Sequence, residues 1–132
     1  MGSVDAEIHA YMQRAEHALK VAESNFKDDY WVDAVSKSYY AMFYAATALV
    51  WAKDLYSSKH SGIIALVGQH FAKPGLIDRH LHRLLIDMFD ERQLADYEIF
   101  LTITEEQAQN ALKAAEQFIA AITEYLHKAG FL

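Results

Sequence analysis

The sequence predicts an all-α protein: an up-and-down four-helix bundle with one additional short helix, five helices in all, in a single domain over residues 1–132. Three observations lead to this prediction. Apolar residues recur at three- and four-residue spacing along most of the chain, and no two-residue alternation typical of strands persists. Residues 39–52 are apolar in nearly every direction around a helix, as expected for a helix with others packed around it. The length suits one domain with one core.

The central predicted helix runs from Asp29 to Lys53, with Asp29 as its N-cap. Its apolar middle is too short for a membrane span, because fourteen helical residues reach only ~21 Å against a hydrocarbon layer of ~30 Å. The N-terminus also lacks the positive patch and apolar run of a signal peptide. We therefore expect a cytoplasmic protein with no membrane partner.

One helix is predicted before this central helix in the chain and another after it. The first runs from Val4 to Lys27 with Ser3 as N-cap, and its apolar residues lie on one face. The other runs from Lys59 to Phe71, and Ser57 or Ser58 is the expected cap.

The rest of the chain predicts a turn and two more helices. Lys73-Pro74-Gly75 has turn composition, and the fourth helix begins near Asp78 and ends somewhere within Glu91 to Tyr97. Thr104 and Gln107 have the spacing of a capping box, so the last helix begins there and runs to about Lys128.

Composition excludes several kinds of function. The chain has no cysteine, which rules out disulfides, thiolate zinc sites and cysteine nucleophiles. The formal net charge is −6, from 18 acidic and 12 basic side chains, which argues against a domain that holds nucleic acid by bulk electrostatics. DNA is not an expected partner, although a cleft that gathers a few basic groups would still hold RNA or a nucleotide.

The histidines do not predict a metal site. His80 and His82 point about 200° apart on a helix and cannot easily coordinate one metal ion together. His60 and His70 stand near helix ends, where a histidine commonly has a structural role. We expect no metal and no cofactor.

Aromatic residues concentrate in the central helix, where helical spacing favours a core role over a stacking platform. Buried tyrosine hydroxyls need partners, so Tyr40 or Tyr44 is expected to face a polar pocket or a second subunit.

The sharpest polar cluster is Arg92, Asp96 and Tyr97. Arg92 is suited to bind a phosphate or carboxylate through its planar fork. The alternative is a structural pair between Arg92 and Asp96, which are four residues apart on one helix face.

Several segments resemble, in order, the signatures of the HEPN domain family, especially its small stand-alone prokaryotic branch. The resemblance runs from about Ala15 to Leu126 and is carried by residues 36–46, 59–64, 71–75 and 92–97. It implies a helical bundle that forms a homodimer and often pairs with a minimal nucleotidyltransferase in a toxin–antitoxin-like system. Active members are metal-independent endoribonucleases with an Arg-x4–6-His motif, in which arginine holds the phosphate and histidine moves a proton.

The motif's histidine is absent here. The permitted positions after Arg92 hold Tyr97, Glu98 and Ile99, and no other arginine has a histidine at that spacing. Tyrosine, with a reference pKa near 10, is a poor proton shuttle at neutral pH compared with imidazole. A histidine from elsewhere in the chain would have to replace it in space.

The leading hypothesis is therefore a non-catalytic HEPN protein that dimerises and binds a nucleotide, RNA or a nucleotidyltransferase partner. Its candidate binding residues are Arg92, Asp96 and Tyr97, with Lys37 and His60 as secondary candidates from the matching segments. The alternatives are a ribonuclease with a variant active site and a helical dimer whose role is purely structural.

Overall fold

A computed structural model describes residues 2–97 and 102–132. Within them the chain forms five α-helices and no strand, which confirms the all-α prediction. The bounds are α1 Gly2–Lys27, α2 Trp31–Trp51, α3 His60–Val67, α4 Arg79–Tyr97 and α5 Glu105–Lys128. A π turn, Gly68–Ala72, follows α3 directly.

Helix α2 is the centre of the fold, as its all-round apolar character predicts. It packs against α1, α5, α4 and α3, and α1 also packs against α5. Twelve of its residues are buried, among them Tyr39, Met42 and Leu49. The core continues into α5 through Phe118 and Ile122, which are fully buried.

Three predicted helix starts are wrong, and the bounds of α3 differ. Helix α1 already begins at Gly2, so Ser3 lies inside it. Asp29 does not cap α2: its φ is 64°, a left-handed conformation that ends the turn after α1, and Tyr30 precedes α2 without a side-chain cap bond.

The start of α3 differs in the same way. Lys59 precedes it, again without a side-chain cap bond, while the Ser57 hydroxyl accepts a hydrogen bond from the Lys59 backbone N–H at 3.2 Å. Ser57 therefore orders the loop and does not cap the helix. The predicted span to Phe71 is divided into α3 and the π turn, because the backbone widens from Gly68 onwards and Lys73 N–H bonds to the Gly68 carbonyl at 2.8 Å.

The second half of the chain follows its prediction closely. Gly75 has a φ of 81° in the predicted turn, and α4 begins one residue after Asp78, whose carboxylate accepts from the His80 N–H at 2.8 Å. Both bonds of the capping box between Thr104 and Gln107 are present.

Two side chains, His82 and Lys53, hold the end of α3 and the π turn in place. His82 of α4 bonds through Nε2 to the carbonyl oxygen of Ile64 at 3.0 Å, and Lys53 Nζ donates to the His70 carbonyl at 2.9 Å. Gly68 packs so closely on the His82 ring that an added Cβ would lie 2.7 Å from Nε2. These contacts fix α3, which begins with His60, relative to α4, which carries Arg92.

Candidate functional site

Arg92 lies between a carboxylate and two aromatic rings. Its Nη1 donates to Asp96 Oδ2 at 2.8 Å, and its Cζ lies 5.1 Å from the ring centroid of Tyr39 and 5.4 Å from that of Tyr40. Both distances are within the range of cation–π attraction. The Arg92 side chain is only 13% exposed, and its Nε is buried without a hydrogen-bond partner among the described residues.

Tyr39 joins Arg92 to His60. The Tyr39 hydroxyl lies 2.7 Å from His60 Nδ1, a hydrogen bond that joins α2 to the first residue of α3. The imidazole is stacked on the Phe43 ring, with centroids 3.9 Å apart and planes 11° from parallel. We call Arg92, Asp96, Tyr39, Tyr40 and His60 the Arg92 cluster.

Burial and charge set the protonation states in this cluster. Burial raises the pKa of Tyr39 well above its usual range, with Arg92 opposing part of the rise, so the phenol stays protonated. Burial and the positive charge of Arg92 both lower the pKa of His60, so the imidazole is neutral at pH 7. For Arg92, burial alone would lower the pKa, but Asp96 and the two tyrosines outweigh it and the net pKa is raised.

These states determine which way the Tyr39–His60 hydrogen bond runs. A protonated phenol in a fully buried residue needs an acceptor, and His60 Nδ1 stands at hydrogen-bonding distance. Neutral imidazole that accepts at Nδ1 carries its hydrogen on Nε2. The cluster therefore presents N–H donors from both Arg92 and His60, which suits the binding of an anion.

The structure brings some of the predicted site residues together and places others elsewhere. Arg92, Asp96 and His60 come together, and the predicted Arg92–Asp96 pair is present. Lys37 lies instead in a groove between α1 and α2, which Tyr40 also lines. The side chain of Tyr97 lies outside the described residues, so its predicted role stays a prediction.

Sequence reasoning missed the central role of Tyr39. It placed the aromatic residues of α2 mainly in the core, and Tyr39 is indeed fully buried. Its hydroxyl, however, bonds to a residue 21 positions away, a contact that no local spacing indicates. The expectation that Tyr40 or Tyr44 faces a polar pocket agrees with the structure, because both line the groove beside Lys37.

Two other kinds of site were sought in the described parts of the chain. Across residues 2–97 and 102–132, no group of three or more His, Cys, Asp or Glu side chains is placed to hold a metal ion. Over the same residues, no helix combines the length and apolar character that a membrane crossing requires.

Comparison with known proteins identifies the family. The HEPN domain model matches residues 8–125, which is most of the chain. The chain belongs to the HEPN domain family. A UPF0332 protein of Thermotoga maritima is 32% identical to this HEPN chain over 126 residues, and the match covers 96% of each protein. The resemblance noted in the sequence is thereby confirmed.

Another relative carries a more specific name. "Putative toxin MJ0605" of Methanocaldococcus jannaschii is 35% identical over 120 residues, covering 91% of this chain and 89% of the relative. The crystal structure of TT1696 from Thermus thermophilus matches with a TM-score of 0.72 at 18% identity, covering 90% of this chain and 98% of the other. At that identity the likeness concerns the fold alone.

Proposed function

We propose that this HEPN protein binds the phosphate of a nucleotide or of RNA at the Arg92 cluster and does not cleave it. The proposal rests on one observation, the hydrogen bonding of the Arg92 guanidinium. Asp96 holds one nitrogen of the guanidinium, while Nε is buried without a partner among the described residues. A buried donor without a partner is costly, so an anion that reaches it gains more than an ordinary hydrogen bond. Tyr40, whose ring centroid lies 5.4 Å from the Arg92 Cζ, is only half-buried.

The direction of the Tyr39–His60 hydrogen bond supports binding over catalysis. A general base must offer a lone pair, but the tautomer that Tyr39 favours places a hydrogen on His60 Nε2. A general acid must be protonated, and burial together with Arg92 lowers the pKa of His60. Both tendencies make His60 a hydrogen-bond donor to a bound anion.

The assembly that we propose follows the family. We infer that α1, α2, α4 and α5 form an up-and-down bundle, that two chains form a homodimer, and that a minimal nucleotidyltransferase is the partner in a cytoplasmic toxin–antitoxin-like pair. The relatives named as toxins support this role. Co-expression with a nucleotidyltransferase encoded beside the gene tests it: the two proteins should copurify at a fixed ratio, and complete separation on a sizing column would count against the pair.

A binding titration tests the ligand proposal. Arg92→Gln should weaken binding of a short unstructured oligoribonucleotide by about tenfold or more, because a charge-assisted hydrogen bond is lost. Arg83→Gln removes the same charge from an exposed position of the same helix, outside the cluster, and should bind like the wild type. If Arg92→Gln folds and binds as tightly as the wild type, the helical dimer with a purely structural role becomes the better interpretation.

A metal-independent endoribonuclease is the second candidate function. One observation favours it: Tyr39 places a histidine from outside the sequence motif beside Arg92. On this hypothesis the wild type cleaves RNA in the presence of a chelator, and both Arg92→Gln and His60→Gln abolish cleavage. An inert wild type that still binds RNA would eliminate this candidate and leave the binding proposal intact.

A further inference from the structure

A concavity lies where the π turn meets the start of α4, outside the Arg92 cluster. It has a volume of about 560 Å³. Three small residues from α3 and the π turn, Ala65, Gly68 and Ala72, are part of its lining, and their short side chains leave the surface open there. We call it the π-turn cleft.

The cleft lies in the positively charged part of an acidic protein. Lys73 and Arg79 line it and both are exposed, while no acidic side chain is among its lining residues. Residues 53–86 hold five lysines and arginines and two aspartates, a net charge of +3, so the remainder of the chain carries −9. Among the described residues, neither Lys73 nor Arg79 has a carboxylate oxygen within 4.0 Å, since the ion pairs found there involve other residues. Both cations are therefore available to an acidic partner.

Hydrogen bonds between the surrounding elements hold the cleft in shape. The backbone N–H of Lys73 donates to the Gly68 carbonyl oxygen at 2.8 Å. His82, which lines the cleft from α4, has Nε2 3.0 Å from the Ile64 carbonyl oxygen, and this ring nitrogen is the donor because a carbonyl only accepts. Since the cleft is formed before a partner arrives, docking requires little ordering of the backbone on this side.

The lining of the cleft suits a peptide better than a nucleic acid. No Phe, Tyr or Trp is among the lining residues, so nucleotide bases have no such ring to stack on. Gln69 also lines the cleft, and its side-chain amide both donates and accepts hydrogen bonds. A peptide bond offers both a donor and an acceptor in return, whereas a phosphodiester group offers acceptors only.

We infer that the π-turn cleft is a docking site for an acidic segment of a protein partner, with carboxylates against Lys73 and Arg79 and a backbone amide against Gln69. Arg83 is exposed four residues after Arg79 on the same helix face and extends the positive charge beyond the cleft. This suits a chain with several carboxylates better than a small ion with one. No member of the Arg92 cluster lines the cleft, so the inference does not depend on the proposed function.

Fluorescence anisotropy at low ionic strength tests the chemistry of the partner. A labelled hexaglutamate peptide should bind the wild type about tenfold tighter than the matched hexaglutamine peptide, because only the first carries carboxylates. Unlabelled hexaglutamate should displace the label, whereas an oligoribonucleotide of similar charge should displace it about tenfold less well. Equal binding of the two peptides, or equal displacement by the oligoribonucleotide, would overturn the inference.

Substitutions test the place. Lys73→Ala/Arg79→Ala should weaken hexaglutamate binding by about fivefold or more, since two ion pairs with the peptide are lost. Lys27→Ala/Lys113→Ala changes the net charge by the same amount at exposed positions outside the cleft, and should bind the peptide like the wild type. All four positions are exposed, so both double variants should fold. If the two double variants bind the peptide equally, the cleft does not hold it and the inference is wrong.

Two further measurements on Lys73→Ala/Arg79→Ala separate a peptide site from the other possible occupants. The variant should bind a short oligoribonucleotide like the wild type, because the Arg92 cluster is unchanged. Its mass by light scattering should also equal that of the wild type. Weaker oligoribonucleotide binding would assign the cleft to nucleic acid, and a lower mass would assign it to an interface between copies of this chain. Either result would overturn the inference.

Discussion

The two opposite sides of helix α2 differ in the size and the contacts of their side chains. One side, the alanine side, places Ala34, Ala41, Ala45 and Ala48 on one face, all with no exposed surface. The opposite side, the aromatic side, carries Tyr39, Tyr40 and Phe43, whose partners include a guanidinium and an imidazole. Small residues allow neighbouring helices to approach closely, and the hydroxyl of Ser38 on this face is buried without a hydrogen-bond partner among the described residues. On the aromatic side, by contrast, polar side chains pack directly against the rings.

The largest effect should come from overfilling the alanine side. Ala45→Leu adds three carbon atoms where no surface is exposed, and should lower the free energy of unfolding by about 1–3 kcal/mol. Ala120→Leu, at an exposed position of α5, should change it by less than about 0.5 kcal/mol. Urea unfolding measures both, and a tolerated Ala45→Leu would contradict close packing on this side.

Removing one hydroxyl tests the aromatic side. Tyr39→Phe keeps the ring but takes the hydrogen-bond donor from His60 Nδ1, and should lower the free energy of unfolding by about 0.5–1.5 kcal/mol. The matched control is Tyr44→Phe, a half-buried tyrosine whose hydroxyl has no hydrogen-bond partner among the described residues, and little change is expected. If the two variants lose the same free energy of unfolding, the Tyr39–His60 hydrogen bond does not contribute measurably to stability.

A smaller effect should appear in the pH dependence of stability. The pKa of His60 is lowered in the folded state by burial and Arg92, so the unfolded chain binds the proton more readily. The stabilisation from neutral His60 is thus fully present above its unfolded pKa, about 6.5, and is lost as the pH falls from there towards the lower folded pKa. His60→Gln should make the stability curve flatter on acidification from about pH 7. An unchanged slope would mean that the folded protein does not lower the pKa of His60.

The smallest effect is expected where α1 meets α5, away from both sides of α2. The pKa of Glu116 is raised by partial burial and by the neighbouring Glu23, so ionised Glu116 opposes folding. This penalty is absent below the unfolded pKa, grows as the pH rises towards the higher folded pKa, and is complete above it. Glu116→Gln should therefore stabilise the protein at neutral pH, by about 0.5 kcal/mol or less because the site is largely hydrated.

Thermal unfolding of Glu116→Gln beside Glu16→Gln, an exposed substitution on α1, measures this difference. A destabilised Glu116→Gln would show that the carboxylate has a favourable partner.

Most of the helices could be predicted because their signals lie within a few residues of each other. The site could be predicted only in part, because it also depends on contacts between residues far apart in the sequence. The capping box of Thr104 and Gln107 lies within four residues and was predicted correctly. Asp29 failed as a cap because its backbone is left-handed, a state that composition favours but does not require. Arg92 and Asp96 share one helix turn and were found by spacing, whereas the bond between Tyr39 and His60 depends on how α3 is placed against α2.

The placement of α3 also depends on Gly68, a residue outside the Arg92 cluster. Because its missing side chain lets the His82 ring sit against the π turn, Gly68 allows α4 to pack closely on the end of α3, the helix that begins with His60. If the Arg92 cluster binds an anion as proposed, selectivity for a ligand that needs both donors would depend on a position that touches no ligand. A substitution at Gly68 would then change the proposed site while every residue of the Arg92 cluster stays the same.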